Sequence, residues 1–320
     1  MPASSTIAHP SPPTVPDDLV ALCAVDETGT RRTITRRELA DQVDRASAVM
    51  RRLGVRAGDR VALQLPVIPE AVVALLACTR IGAVATTLNP WTSLRDHPSD
   101  ELALRRLRHI RLLVTTDDQD PAASRTAAST APPALLVRTG SGPLRSRSDD
   151  QQWWHHALAG MAPSAADPAP APEEHATALR LGLLGPTDVY WCAADLDWLV
   201  RHPAAVTGPL AVGAAQVLCA DVTRLWETAH TSGVTVLHAR PDALHDVLWR
   251  SRLTDPHTPD APDLRRIAAI PDADAGSAPD YWYWQREHHL TATWQLRCGS
   301  NPWSPPLAGA PTDQLPVVPR

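Results

Sequence analysis

Charged and imidazole side chains follow two predicted strands, a position from which an α/β protein could use them in chemistry. Asp195, Asp197 and His202 follow the first of these strands, and His238 comes at the end of Val234–Leu237. Because ligands of α/β sheets bind outside the carboxyl ends of the strands, His238 could face a ligand crevice. A histidine with a structural role is the more common alternative, and Asp195 or Asp197 could equally cap the helix that begins there. Both interpretations stay open.

Spacing argues against three other kinds of site. Gly140-Ser141-Gly142 has no helix after it, so it does not match the nucleophile elbow of a hydrolase. His288 and His289 are adjacent, whereas a zinc-binding helix uses histidines four residues apart. No dinucleotide-binding G-x-G-x-x-G follows a strand. We therefore predict no catalytic residue and no metal ligand.

The cysteines predict neither a disulfide framework nor a zinc site, because they are odd in number and widely spaced. We expect reduced, partly buried thiols, with Cys78 and Cys219 as small core residues. The five positions are Cys23, Cys78, Cys192, Cys219 and Cys298.

The composition of the 320-residue chain is that of a globular protein. Hydrophobic residues make up 44% and charged residues 20%, enough for a core in one or two domains. A net charge of −5 gives no electrostatic reason to expect nucleic acid or an anionic membrane as partner. Met1–Pro16 is rich in Pro and Ser and has no apolar signal-peptide region, so we expect a disordered leader and a cytoplasmic protein.

The segment Thr33–Val84 predicts helix, strand and helix in succession. Thr35 and Glu38 form a capping-box pattern ahead of an apolar row with helical spacing, and Gly54 stands where the helix should end. A strand over Arg60–Leu65 follows, and then a helix over Pro69–Ile81 that stops at Gly82.

The rest of the chain alternates predicted strands and helices, which favours a helix-covered, largely parallel sheet. Strands are predicted over Leu19–Val25, Arg31–Ile34, Arg111–Thr116, Ala134–Arg138, Gly213–Cys219, Gly233–Leu237 and Leu264–Ile270, and helices over Asp100–His109, Val222–Ser232 and Pro241–Trp249.

Several segments resemble the adenylate-forming (AMP-binding) enzymes, and most closely the acetyl-CoA synthetases. Thr35–Ala48, Leu53–Ala62 and Leu65–Ala83 match the family's T-x-R-E-L helix, its LGV-x-x-GDRVA turn and strand, and its LP-x-IPEAVVA helix. Asp188–Leu210 matches the family's DVYWCTADVGW segment. The resemblance runs from Leu19 to Pro311 and implies the α/β fold of the family's large N-terminal domain, internally shortened and without the C-terminal lid domain.

The chain departs from the family where ATP chemistry is done. The family's phosphate loop, rich in Ser, Thr and Gly and containing a lysine, should lie between Pro172 and Asp188, but no such loop is present. The family's G-E-P turn is replaced by Asp274-Ala275-Gly276, and Leu296-Arg297 stands where its Thr-Glu pair would be. The resemblance implies ATP or AMP, Mg²⁺ and CoA as cofactors, yet their motifs are missing. All 30 basic residues are arginine, so no lysine replaces the lost one.

What the resemblance implies for the site is the remnant of an acyl or nucleotide pocket. Its residues would be Trp191, Asp195, Trp198, His202, His238, Thr293 and Trp294.

The resemblance also implies a helix over Asp149–Pro163. Its Trp153 and Trp154 could form a stacking platform for a base, but aromatic residues that anchor a helix on the sheet are more common. Adjacent His155 and His156 would point to different faces and are expected to be solvated. Ala278–Trp284 resembles a second family helix, NPEAWEWY.

We divide the chain into a leader (1–16), a first α/β subdomain (17–163), a linker at the lost loop (164–187), a second α/β subdomain (188–311) and a tail (312–320). The first hypothesis is a protein that no longer activates carboxylates and acts by binding a ligand or a protein partner, or as a homodimer through an exposed sheet edge. The second is a residual enzyme that binds an acyl group or AMP and is completed by another chain. A decayed gene product is the third.

Overall fold

The structure is a computed structural model that describes residues 16–87, 109–117, 132–138, 151–162, 184–240, 243–244, 262–269, 280–286 and 294–300. Its helices are α1 (Arg36–Arg52), α2 (Pro69–Ile81), α3 (Trp154–Ala159), α4 (Leu196–Arg201), α5 (Ala204–Val212) and α6 (Leu225–Thr231). Its strands are β1 (Val20–Val25), β2 (Arg31–Thr35), β3 (Arg60–Gln64), β4 (Val84–Thr87), β5 (Ile110–Thr116), β6 (Ala134–Val137), β7 (Gln151–Trp153), β8 (Val189–Ala193), β9 (Ala215–Cys219), β10 (Val236–Ala239), β11 (Arg266–Ala269), β12 (Asp280–Arg286) and β13 (Trp294–Ser300).

The strands of the described residues form two sheets. One has the order β4-β3-β5-β6-β7, and all its neighbours pair in parallel. The other has the order β13-β12-β11-β10-β8-β9-β1-β2. Its five central strands, from β11 to β1, are parallel, while β2, β12 and β13 add antiparallel edges. The α/β fold with largely parallel sheets is confirmed.

Helices α1 and α2 pack between the two sheets. Their apolar faces share one core with Val61 and Leu63 of the smaller sheet and with Tyr190 and Cys192 of the larger sheet. Along β8, Trp191 alternates with Tyr190 and Cys192 and so faces the opposite side of the larger sheet. It joins a second core there, on the outer face of that sheet, where α6 packs. Alternation of side chains along each strand therefore divides the interior into layers. No helix in the described ranges is long and apolar enough to cross a membrane.

Local signals determine the ends of α1 and α2 as predicted. Thr35 Oγ1 accepts from the Glu38 backbone N–H, and the Glu38 carboxylate accepts from the Thr35 backbone N–H, which completes the capping box. Gly82 ends α2 in the left-handed conformation with φ 78°. The predicted strands Arg31–Ile34, Arg60–Leu65 and Arg111–Thr116 are β2, β3 and β5 to within one residue at each end.

The β1–β2 hairpin lies in the larger sheet, because β1 pairs in parallel with β9. The sequence assigned this hairpin to the first subdomain on chain order alone. The proposed domain boundaries stay a prediction.

Two helices suggested by family resemblance are not formed as expected. Asp280–Arg286 is a strand between β11 and β13 in place of the helix expected over Ala278–Trp284. The run Tyr-Trp-Tyr-Trp explains this, since aromatic residues fit a pleated sheet. Within Asp149–Pro163, β7 precedes α3. The helix expected over Val222–Ser232 starts later, at Leu225. Most of Asp100–His109 and Pro241–Trp249 lies outside the described residues.

Gly54 permits a close approach that can be tested. It follows α1 with φ 89°, and its carbonyl accepts from Arg111 Nε at 3.1 Å. A Cβ here would collide with the Arg111 guanidinium, whereas Gly58 has a similar φ of 84° and open space around it. We expect Gly58→Ala and Gly54→Ala each to cost ~1 kcal/mol of unfolding free energy for the left-handed backbone, because the exposed end of the flexible Arg111 side chain can move aside at little cost. Urea unfolding of both variants measures the two costs, and a clearly larger loss for Gly54→Ala would show that the contact between Arg111 and Gly54 is rigid.

Candidate functional site

The candidate site is the region at the carboxyl ends of β8 and β10. From β8 the chain passes through α4 and α5 to β9 on one side, and α6 then leads back across to β10 on the other side of β8. This reversal is a topological switch point, the place where open α/β sheets bind ligands. The first residues beyond these strand ends are Ala194 and Asp195 after β8 and Arg240 after β10.

Asp195 and Asp197 build helix α4. Asp195 is the N-cap, and its Oδ1 accepts from the Trp198 backbone N–H at 2.7 Å. Asp197 accepts from Arg201 Nη2 at 2.8 Å and from Thr87 Oγ1 at the end of β4. Both carboxylates therefore have structural roles: Asp195 caps α4, and Asp197 pairs with Arg201 and joins α4 to the smaller sheet.

Trp198 and His202 form a stacked pair on α4. Their ring centroids are 4.1 Å apart with an interplanar angle of 17°, and His202 Nδ1 lies 2.9 Å from the Trp198 carbonyl oxygen. Trp198 is buried, and its Nε1–H has no hydrogen-bond partner within the described ranges. One turn of α4 therefore brings the two predicted residues together just beyond β8.

His238 is paired inside the sheet. Its Nδ1 lies 3.1 Å from the Tyr190 hydroxyl, and the two rings meet edge to face at 5.1 Å. The side chain is 3% exposed. Burial, with a smaller contribution from the charge of Arg266, lowers the pKa of His238 to about 3. His238 is a neutral, buried histidine near pH 7, and this geometry favours a structural role.

Trp191 faces away from Trp198. It is fully buried in the outer core with Leu237 and Ile267, whereas Trp198 belongs to the inner core. Trp294 is the first residue of β13 at the far edge of the sheet, and Thr293 lies outside the described residues. The structure thus brings Asp195, Trp198 and His202 together at α4 and separates Trp191 and Trp294 from them. Whether any of them binds a ligand stays a prediction.

Two polar groups of this sheet, on Tyr190 and Asp188, were not predicted from the sequence. Tyr190 was not singled out, although a hydroxyl-bearing aromatic residue in an apolar strand signals a buried hydrogen bond. Asp188, at the amino end of β8, accepts from Arg265 Nε at 2.7 Å and from Thr235 Oγ1 at 2.8 Å. Burial raises the pKa of Asp188, but hydrogen bonds from Arg265 and Thr235 outweigh it, and the net shift is downward. This carboxylate ties together the starts of β8, β10 and β11.

Trp153 and Trp154 anchor the β7–α3 segment. Both are buried, Trp153 on the outer face of the smaller sheet and Trp154 in the central core. The packing interpretation is confirmed. His155 and His156 are exposed, with ring centroids 4.2 Å apart.

The cysteines are placed as structural thiols. Burial raises the pKa of Cys78 and of Cys192 to about 12, which makes either thiolate rare near pH 7. Cys78, Cys192 and Cys219 are buried, and these three and Cys23 are free thiols. Among the described residues, no group of three His, Cys, Asp or Glu side chains is arranged to hold a metal ion.

Comparison with known proteins gives consistent matches. The family of AMP-binding enzymes matches residues 13–178. Acetyl-coenzyme A synthetase of Streptomyces avermitilis is 29% identical over 90% of this chain and 51% of its own length. That of Gemmatimonas aurantiaca is 29% identical over 84% of this chain and 48% of its own. The chain spans about half the length of these curated relatives.

Solved structures agree on the fold. An acyl-CoA synthetase of Brucella canis superposes with a TM-score of 0.59 at 22% identity, over 72% of this chain and 46% of its own. The acetoacetyl-CoA synthetase of Streptomyces lividans gives a TM-score of 0.59 at 25% identity, over 72% of this chain and 41% of its own. With a family match over more than half of its residues and an architecture shared with these synthetases, the chain belongs to the AMP-binding enzyme family.

Proposed function

We propose that this acetyl-CoA-synthetase-like chain does not carry out ATP-dependent carboxylate activation by itself and acts by binding, chiefly of a protein partner. The observation that carries the proposal is the segment between Pro172 and Asp188, which contains no loop of Ser, Thr, Gly and Lys. The family match itself stops at residue 178, within this segment.

The chain lacks some residues within the region matched to its relatives. The match to the Streptomyces avermitilis relative runs over 344 positions, more than the 320 residues of the whole chain, although only 90% of the chain takes part. The relative therefore has positions in that region with no counterpart here. This supports a deletion that does not depend on where the chain begins or ends.

The chemistry explains why such a deletion matters. Transfer of a carboxylate to the α-phosphate of ATP needs backbone N–H groups and cations around the phosphates while pyrophosphate leaves. Removing one preorganised donor costs ~10²–10³ in rate, and the losses here are several. None of these 320 residues is a lysine.

The contacts of the polar side chains on α4 also support a protein without catalysis of its own. Asp195 caps α4, Asp197 bonds Arg201 and Thr87, and His202 stacks on Trp198. These groups are engaged in building the helix, which supports a structural more than a catalytic role.

A second candidate function is a residual enzyme that binds an acyl group or AMP, with catalysis completed by another chain. The observation in its favour is the switch point between β8 and β10, a position suited to ligands. We further propose a cytoplasmic location, which the reduced thiols of Cys78 and Cys192 support.

Acetate-dependent exchange of labelled pyrophosphate into ATP tests the proposal, because it reports adenylate formation directly. We expect the purified chain with Mg²⁺ to give the rate of the enzyme-free blank, while a full-length acetyl-coenzyme A synthetase gives a large signal in the same buffer. Exchange that requires both the chain and acetate would overturn the proposal.

A further inference from the structure

Five exposed arginines lie together at the amino edge of the smaller sheet, and we call this the arginine surface. Arg51 and Arg52 end α1, Arg56 lies in the turn that follows, and Arg60 and Arg111 stand at the starts of β3 and β5. None of the five is among the residues of the candidate site. They are on a different sheet from the candidate site.

Backbone contacts show that these residues form one surface. Arg56 Nη1 donates to the Arg51 carbonyl at 2.8 Å, and Arg111 Nε donates to the Gly54 carbonyl at 3.1 Å. Arg60 pairs across the sheet with Ile110, the neighbour of Arg111. The end of α1, the following turn and two strand starts are therefore adjacent.

Among the described residues, the turn within this surface carries one carboxylate, that of Asp59, which accepts from the Arg56 backbone N–H at 2.8 Å, against five arginines. Other arginines of the chain pair with carboxylates, such as Arg80 with Asp44 and Arg224 with Glu227. Within the described ranges, none of the five arginines forms an ion pair. Five unpaired cations at one edge contrast with the net charge of −5 for the whole chain.

In the part of the chain that the structure describes, only two of the five guanidiniums form hydrogen bonds that stabilise the fold. Arg56 and Arg111 donate to carbonyls around the end of α1, where cations stabilise the helix dipole. The side chains of Arg51 and Arg60 have no hydrogen-bond partner among the described residues, and the Arg52 side chain contacts only Met161 Sδ, at 3.3 Å. Three guanidiniums are thus available to a partner.

An apolar residue lies within the arginine surface. Val84 is 49% exposed, pairs with Arg60 across the sheet, and donates its backbone N–H to the Asp59 carbonyl at 2.8 Å. Val84 is therefore an exposed apolar side chain beside Arg60, and such a pairing is common in protein interfaces, where arginine is enriched and a dry centre has a polar rim.

We propose that the arginine surface docks a folded protein with an acidic face, which specifies the partner role proposed above and rests on it. Nucleic acid fits this surface less well. The described arginine surface has no exposed aromatic side chain on which bases could stack, and the acidic chain as a whole would repel a long polyanion. One valine is too little apolar surface for a membrane-binding helix. Charge steers the encounter, and Val84 supplies the dry contact.

The test compares two triple variants with the same change in net charge. Arg51→Gln/Arg52→Gln/Arg60→Gln removes the available guanidiniums and leaves Arg56 and Arg111 in place. Arg32→Gln/Arg37→Gln/Arg224→Gln removes three exposed arginines that are already ion-paired. The probe is a short, fluorescent, glutamate-rich peptide that stands in for an acidic protein face and is too short to meet the net repulsion of the whole chain, and its binding is followed by anisotropy at low salt. We expect the first variant to bind about tenfold more weakly than the wild type and the control less than twofold more weakly.

Four results would overturn the inference. They are equal weakening in both variants, no binding of the peptide by the wild type, tighter binding of inorganic tripolyphosphate or of anionic lipid vesicles than of the peptide, and salt-sensitive self-association in sedimentation that the first variant abolishes. The last result would make a second copy the occupant. Pyrophosphate exchange by the wild type would instead refute the proposed function and leave the surface itself untouched.

Discussion

The free energy of unfolding falls as the pH is lowered from about 6.5 toward 3, and His238 is responsible for a large part of the fall. The folded protein holds the pKa of His238 at about 3, whereas in the unfolded chain it returns to the ordinary value of 6.5. Between these values the unfolded state binds a proton that the folded state does not, so acid favours unfolding. The contribution approaches ~1.4 kcal/mol per pH unit.

Urea unfolding between about pH 7 and 5 checks this, because carboxylates titrate little in that interval. His238→Gln is the matched variant, since its amide can still bond the Tyr190 hydroxyl but does not titrate. We expect a shallower pH dependence in the variant even if it is less stable at pH 7. The same slope in both proteins would show that His238 is accessible to protons in the folded state.

Trp191→Ala lowers the free energy of unfolding by about 3–5 kcal/mol, the usual cost of truncating a fully buried tryptophan. Trp191 has no exposed surface and packs with Leu237 and Ile267 in the outer core. Its Nε1–H has no hydrogen-bond partner among the described residues. We therefore expect Trp191→Phe, which removes that unsatisfied donor, to be far milder.

Trp226→Ala is the control, because Trp226 is only partly buried against the same core. Chemical denaturation should rank Trp191→Ala as clearly more destabilising than Trp226→Ala. A stable Trp191→Ala protein would contradict the core assignment and return Trp191 to the predicted ligand pocket.

Local features of the chain were predictable from sequence. The capping box of Thr35 and Glu38 and the left-handed Gly82 depend on neighbours within a few residues, so α1 and α2 were located to their ends. The capping role of Asp195 was foreseen as one of two interpretations for the same reason.

Non-local pairing was not predictable. Nothing near the β1–β2 hairpin indicates that β1 lies beside β9. The Tyr190–His238 contact depends on the parallel pairing of β8 with β10, and the outward face of Trp191 depends on which core covers which side of that sheet. Resemblance misled at Ala278–Trp284, where the aromatic run forms β12 once a neighbouring strand is available.

A thermal-shift titration of the purified chain with ATP and Mg²⁺, AMP and a non-hydrolysable acyl-adenylate mimic tests the central claim most directly. A ligand at 100 times its dissociation constant adds ~2.7 kcal/mol of stability, which raises the Tm of a domain by several degrees. The account predicts a cooperative melt that none of these compounds shifts. A clear shift with AMP or the mimic would contradict it and support an enzyme that retains its nucleotide pocket.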